Sequence, residues 1–223
     1  MDSFFKFFLQ QGVAPKLVAE HEKIYPRGRV IPLPRSGHID ASLGQVLRER
    51  KTTRTFASRP IDLATLSKLL YWSVGPIHTS IDARRRPYPS GGSLYPIEFY
   101  IANLKESDLA KGLYHYASSR HVLELIPYAD VSNLPSRQTD EPVGASMIIL
   151  MSLIKAKNMP KYGNLGYKLG LLEAGHAGQN LILVAAELGL AVLPIGSMNY
   201  EGVEEELFVN QEREPFCYHL ALG

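Results

Sequence analysis

Pro89-Ser90-Gly91-Gly92-Ser93-Leu94-Tyr95-Pro96 runs directly into Ile97-Glu98-Phe99-Tyr100-Ile101-Ala102. The alternation in the second segment predicts a strand. In the first, Gly91 and Gly92 permit positive φ and close approach of backbone to a ligand. Ser90 and Ser93 supply small hydroxyls. Pro89 and Pro96 stiffen the ends and bias the residues before them toward extended geometry. A stiff, hydroxyl-bearing loop feeding a core strand is either an ordinary turn or a wall for a flat polar ligand. On this stretch alone both readings stay open.

Downstream, residues 112–117 and 121–127 read as a hairpin, with Tyr114, Tyr116, Val122 and Leu125 in strand pattern. Residues 145–154 are an almost unbroken apolar run, expected as a strand buried on both faces. Residues 155–165 read as a polar connection that contains Lys161 and Tyr162. A long helix is expected over about 167–188, closed by Gly189. It is apolar nearly all round, which predicts burial. It also holds Gly170, Gly175 and Gly178, each costing roughly 1 kcal/mol against alanine in a helix. A backbone or a ring is therefore expected to pack very close to it. His176 is expected as a core or interface histidine bonding a carbonyl. Residues 190–195 and 215–222 complete the strands, with a short helix expected around 200–208.

Upstream, residues 1 to about 23 read as one or two short helices carrying Phe4, Phe5, Phe8 and Leu9. Residues 25–37 mix Pro, Gly and charge in a linker-like way. This divides the chain into an N-terminal arm, 1–40, and one domain, 41–223. Asp40 can cap a helix running to about Arg48. Arg50, Lys51 and Arg54 then crowd around Thr52 and Thr53. Cations with hydroxyls at a helix end suit a phosphate, because charge-assisted bonds are the strong ones; a solvated basic terminus is the plain alternative. Asp62 opens the next helix, Ile61 and Leu66 have the spacing of a hydrophobic staple, and Gly75-Pro76 ends it. The basic triplet Arg84-Arg85-Arg86 is given no role.

The composition bounds the function. The chain has 223 residues, 45% hydrophobic and 21% charged, enough for one domain with a sizeable core. A formal charge of +2 is too near balance to point to nucleic acid or a membrane surface. Cys217 is the single cysteine, so no internal disulfide forms, and no Cys/His spacing suggests a metal site. No apolar run approaches a membrane span. The first residues lack a secretory leader pattern, so the expected location is the cytoplasm.

Four stretches in order resemble the nitroreductase superfamily: 50–56, 89–96, Leu172-Glu173-Ala174-Gly175-His176-Ala177-Gly178-Gln179-Asn180, and Pro194-Ile195-Gly196. Within it the chain looks most like the SagB-type dehydrogenases, the azoline oxidases of modified-peptide biosynthesis. The resemblance covers roughly residues 25–222. It implies an α+β fold, a mixed, mainly antiparallel sheet flanked by helices, paired as a homodimer with FMN at the interface. It puts Arg50, Lys51, Thr52 and Arg54 on the FMN phosphate and ribityl side. It puts Ser90, Gly91, Gly92 and Ser93 against the flavin ring. The turn Pro194, Ile195 and Gly196 would offer backbone N–H groups near the flavin N5 and O4, where negative charge develops as hydride arrives. Many members carry a further basic phosphate contact near the C-terminus. The final strand here has none, so either Lys168 or Arg213 is expected to substitute, or the phosphate is held more weakly.

The same resemblance supplies a role for Lys161 and Tyr162, since azoline oxidases carry a Lys-Tyr pair just ahead of the long helix. Turning a thiazoline or oxazoline into an azole needs a hydride passed to flavin and a proton taken from the adjacent carbon. A lysine desolvated beside a ring, or a tyrosine beside a cation, can be tuned to act as that base. Read without the family, the pair is a loop lysine in water beside a packing tyrosine. Three functions follow: azoline oxidation on a peptide or small-molecule substrate, alone or beside a cyclodehydratase; NAD(P)H-dependent reduction of nitro compounds or quinones; or a non-catalytic flavin-binding scaffold subunit. A general reductase needs an open flavin face and no general base, so the pair favours the first.

Overall fold

The computed structural model describes residues 16–18, 22–26, 28–34, 37–57, 59–76, 85–199 and 209–223. Seven strands form the main sheet: β3 (Val30–Pro32), β4 (Ile97–Asn103), β5 (Gly112–Ala117), β6 (Val122–Leu125), β7 (Met147–Leu153), β8 (Val192–Ile195) and β9 (Phe216–Leu222). Their order is β3-β6-β5-β4-β7-β9-β8. Every pairing in it is antiparallel. The central strands β4 and β7 are buried along their whole length, as their continuous apolar runs require.

The helices are α1 (Leu43–Glu49), α2 (Leu63–Val74), the one-turn α3 (Leu134–Arg137), α4 (Lys155–Tyr162) and α5 (Asn164–Glu187). Asp62 caps α2, its carboxylate accepting from Thr65 N at 2.7 Å, and Gly75 closes it. Ile61 and Leu66 are both buried. One face of the sheet, with Phe99, Ile101, Ile149, Met151 and Leu220, packs against α2 and α5 through Leu66, Leu70, Ala177 and Leu181. The other face carries a second core around Tyr100, Leu150, Leu193 and Phe216. A register shift opposite Met151 and Ser152 lets Tyr218 face α5 while Phe216 faces the second core.

Several expectations change. Where the arm is described it is strand: β1 (Lys16–Val18) pairs with β2 (Glu22–Ile24), and β3 joins the main sheet. Lys23 and Tyr25 are buried, Lys23 donating to Glu214 at 2.6 Å and to the Tyr100 hydroxyl. This polar anchoring against β4, together with the main-sheet pairing of β3, ties the arm to the domain body. Phe4, Phe5, Phe8, Leu9, Arg84 and the helix expected near 200–208 lie outside the described residues. Ser42, not Asp40, caps α1, because its hydroxyl is the one that reaches Gln45 N, at 3.2 Å. The connection after β7 is the helix α4, despite Pro160 within it.

The expectation of a helix buried all round also fails for the protomer. On α5, Leu171 and Leu172 are 40% and 53% exposed, and Gly175, His176 and Gln179 face outward. The close approach does hold at two glycines. A Cβ on Gly170 would sit 2.5 Å from Leu153, and one on Gly178 would sit 2.5 Å from the Tyr218 ring. At Gly175 the same atom meets nothing within 4 Å. Overpacking costs typically about 1–3 kcal/mol, against a gain of up to about 1 kcal/mol in helix propensity. Gly178→Ala is therefore expected to lower the urea-unfolding free energy by about 1–2 kcal/mol. A variant as stable as wild type would mean that Tyr218 yields freely.

Candidate functional site

The long helix α5 separates two clusters. At its N-terminal end the loop of the 3₁₀ turn Gly91–Ser93 meets α4. A Cβ on Gly92, which has φ of 65°, would stand 2.7 Å from Lys161 Nζ and 2.8 Å from the Tyr162 hydroxyl. On Gly91 it would stand 3.4 Å from Leu169 and 3.8 Å from the Tyr162 ring. Only a glycine fits such an approach with that backbone. Lys161 Nζ lies over the Tyr162 ring, 5.2 Å from its centre, a cation–π contact. The lysine and tyrosine are thus on the last turn of a helix and pressed onto the loop.

The loop itself is tied from several sides. Ser90 Oγ accepts from Tyr95 N at 2.8 Å, and Ser90 O accepts from Ser93 N at 3.1 Å. Ser93 and Tyr95 hold positive φ of 54° and 45°, a conformation that side-chain-bearing residues adopt only when their surroundings impose it. Lys157, at the start of α4, donates to Tyr95 O at 3.4 Å and to Glu98 Oε1 at 2.5 Å.

Glu98 opens a buried row of charges. Its other oxygen faces His115 Nε2 at 2.7 Å, and His115 Nδ1 faces Glu124 Oε2 at 3.0 Å. Arg120 donates to Glu124 Oε1 at 2.6 Å. Burial pushes the Glu98 carboxyl up, but Lys157 and His115 outweigh it and hold the group down at about 2. Burial lowers the His115 imidazole, and hydrogen bonds to the two carboxylates more than reverse this. Two carboxylates, which only accept, thus face the two ring nitrogens, an arrangement that favours the imidazolium.

Glu173 sits on the sheet-facing side of α5, 3% exposed, facing the Ser90 side chain. Burial pushes its carboxyl from 4.5 up to about 7, with Ser90 and Lys157 opposing. Below 4.5 folded and unfolded chains both hold the proton; between 4.5 and 7 the unfolded chain gives it up first, so stability falls as pH rises, and the loss is complete above 7. At pH 8, Glu173→Gln should be more stable than wild type by up to about 3 kcal/mol, and near pH 4 the two should match. Equal denaturant midpoints at both pH values would mean that the carboxyl is not held in this way.

The second cluster lies at the other end of α5. Thr53 N donates to Val192 O at 2.9 Å, which lays residues 50–53 along the edge strand β8. An open cavity of about 270 Å³ is lined there by Arg50, Lys51, Thr53, Ile182, Ala186 and Gly189. Lys51 and Thr52 are exposed. Arg54 Nε reaches Asp140 Oδ2 at 3.1 Å, and the neighbouring Thr139 bonds Ser197 O through both its N–H and its hydroxyl. Those contacts link Arg54 to the end of β8, where Pro194 and Ile195 are strand residues paired with β9 and not part of the expected turn, and Gly196 lies just beyond. Ile195 is buried, Gly196 is exposed, and a Cβ on Gly196 would meet nothing within 4 Å. Arg50, Lys51 and the Thr53 hydroxyl around a cavity of this size suit a phosphate-bearing group, with the Glu49 carboxylate also on its wall.

One protomer therefore brings the expected residues together in two sets. Residues 50–54 and 194–196 share the β8 edge, whereas 90–93, Lys161 and Tyr162 share the start of α5. Leu169 and Ala186 lie about 25 Å apart along that helix. Lys168 is exposed, about 27 Å along the helix from Ala186, and cannot reach the basic cluster of its own protomer. Arg213 is exposed in the turn before β9. Sequence reasoning passed over Glu98, His115, Lys157 and Glu173. The alternation of β4 puts Glu98 on the face opposite Ile97, Phe99 and Ile101 and gives no sign that this carboxylate is buried and paired.

The Nitroreductase family profile matches residues 47–223, so the chain belongs to the Nitroreductase family, and its fold is that of flavin-dependent oxidoreductases. FMN is the cofactor that goes with this family. The chain is 25% identical to the nitroreductase-like protein MJ1384 of Methanocaldococcus jannaschii over 77% of its length and 87% of that protein. It is 35% identical to the microcin B17-processing protein McbC of Escherichia coli over 48% of its length and 42% of McbC, so it spans less than half of that relative. A nitroreductase-like protein of Ralstonia eutropha superposes with a TM-score of 0.75 at 25% identity, over 94% of this chain and 96% of the other. A structure of the same fold from Desulfovibrio desulfuricans, 19% identical with a TM-score of 0.57 over 82% and 86% of the two chains, is in complex with FMN. Among the described residues no helix is long and apolar enough to cross a membrane, and no His/Cys/Asp/Glu group could hold a metal.

Proposed function

We propose that this chain is a SagB-type dehydrogenase that oxidises thiazoline or oxazoline rings on a peptide to azoles. The observation that carries the reading is the seating of Lys161 and Tyr162 directly on Gly92 of the loop. FMN, when bound, supplies the two-electron acceptor, with dioxygen as the terminal oxidant. In this reading Arg50, Lys51, Thr52 and Arg54 hold the phosphate and ribityl side, Ser90, Gly91, Gly92 and Ser93 wall the ring, and the N–H of Gly196, just beyond β8, would face the ring's polar edge, since Pro194 has no N–H and the Ile195 N–H belongs to the β8–β9 ladder. Lys161 and Tyr162 would take the proton from the ring carbon adjacent to the one that gives its hydride to the flavin, so that the ring double bond forms between the two. The similarity to McbC, a microcin B17-processing protein, supports a substrate of that kind.

The separation of the two clusters supports a homodimer. Two protomers related by a two-fold axis and packed through the outward face of α5 would bring residues 50–54 of one to residues 90–93 of the other. The exposed Leu171 and Leu172 are the apolar surface such packing needs. In that arrangement Lys168 also approaches its partner's basic cluster. The similarity to MJ1384 favours a second reading, a nitro or quinone reductase driven by NAD(P)H.

The purified protein is expected to be a yellow dimer releasing FMN on acid treatment, and to turn over an azoline peptide without NAD(P)H. A protein that binds no added FMN, or a flavin-loaded monomer at micromolar concentration in sedimentation equilibrium, would defeat the shared-site reading. Turnover with NADPH and a quinone alone would select the reductase.

A further inference from the structure

Glu173 is the acid that neither cluster uses. Its Oε1 has no hydrogen-bond partner, although the residue is only 3% exposed. It faces Ser90, whose Oγ accepts the Tyr95 N–H at 2.8 Å across the segment where Gly92, Ser93 and Tyr95 all have positive φ. The charged and titratable groups around it come from three elements: Lys157 from α4, Tyr88 from the segment before the loop, and Glu98 from β4, which shares Lys157. We propose that Glu173 is the positioning residue of the loop, its carboxylate holding the Ser90 hydroxyl and thereby the strained turn that carries Gly92 against Lys161 and Tyr162. This rests on the reading of that loop as the wall of the flavin ring.

The reason lies in the inventory of a serine hydroxyl, which has one proton to give and two lone pairs. With Glu173 ionised, Ser90 gives its proton to the carboxylate and keeps a lone pair for Tyr95 N–H. With Glu173 protonated, the acid's own O–H competes to donate to Ser90 Oγ. The acid keeps one acceptor oxygen, but its new O–H competes with Tyr95 N–H for the lone pairs of Ser90 Oγ, and the bond to Tyr95 is shared or displaced. A turn with two side-chain-bearing residues at positive φ relaxes when such a tie is loosened. Because burial places the carboxyl at about 7, the tie changes state at neutral pH, close to where a proton is taken up by the neighbouring pair.

The test uses the full chain, with and without FMN. In ¹⁵N-labelled apoprotein the Tyr95 amide resonance should titrate once between pH 5.5 and 8.5, with a midpoint near 7. In FMN-loaded protein the visible band of the bound flavin should shift with the same midpoint. Glu173→Gln keeps a neutral group of the same shape, and both transitions should vanish while FMN stays bound. Ser90→Ala should remove the flavin transition as well, since the coupling runs through that hydroxyl. A Tyr95 amide that is flat in wild type, or a transition that survives in Glu173→Gln, overturns the assignment. Wild-type protein that shows the Tyr95 transition but binds no FMN upholds the positioning and defeats only the flavin reading.

Discussion

Lys161→Ala and Tyr162→Phe are expected to cut azoline oxidation by roughly 10²–10⁴-fold, the usual cost of losing a general base. Both should keep their FMN content and their assembly, because neither side chain is in the second cluster and neither is buried in the core. Reduction of the flavin by dithionite should be unchanged, since it needs no proton from substrate carbon. The two need not be equal. Lys161 places its ammonium over the Tyr162 ring, so losing the lysine removes both a cation and its influence on the phenol. Steady-state turnover of an azoline peptide by each variant is the measurement. Wild-type rates in both would reduce the pair to packing and leave the reductase reading as the better one.

Glu98→Ala should be the most destabilising single change near the site. It leaves the Lys157 ammonium, which is buried, with only the Tyr95 carbonyl at 3.4 Å. It also removes one of the two acceptors that keep His115 charged. Breaking a buried pair from one side costs about 3–5 kcal/mol, because the remaining charge is uncompensated. For a chain of this size that is roughly a 10 °C loss in Tm. Lys157→Met should cost less, since Glu98 keeps the imidazolium and the Lys157 stem is replaced by an apolar one. The Glu98 contribution is fully present above 4.5 and fades as pH falls through about 2, so the gap between wild type and Glu98→Ala should be undiminished at pH 5. Thermal melts of the three proteins decide it, and equal melting points would mean that water reaches the charge row.

The sequence alone determined the strands and the helix caps that depend on local pattern. Alternation marked β4 as a strand, the unbroken apolar run marked β7 as buried on both faces, the Asp62 and Gly75 signals bounded α2, and Gly91-Gly92 marked a loop that something approaches closely. Those features are legible because period, capping and positive φ are local properties of a few residues. It also supplied both clusters as short motifs.

Tertiary structure decided what those motifs touch. The seating of Lys161 and Tyr162 on Gly92 depends on α4 forming where a polar connection was expected, and a helix with Pro160 inside it shows no ordinary start or stop signal. The charge row from Arg120 to Lys157 joins residues on β4, β5, β6 and α4, and no spacing along the chain brings such groups together. Glu173 directly follows the exposed Leu171 and Leu172 on α5, and the state of its carboxyl is set by how deeply the sheet and loop cover it. Apolar composition showed that α5 needs cover on most of its surface. Only the packing of the protomer shows which stripe the sheet takes and which is left outward, because burial is a property of neighbours contributed by distant parts of the chain.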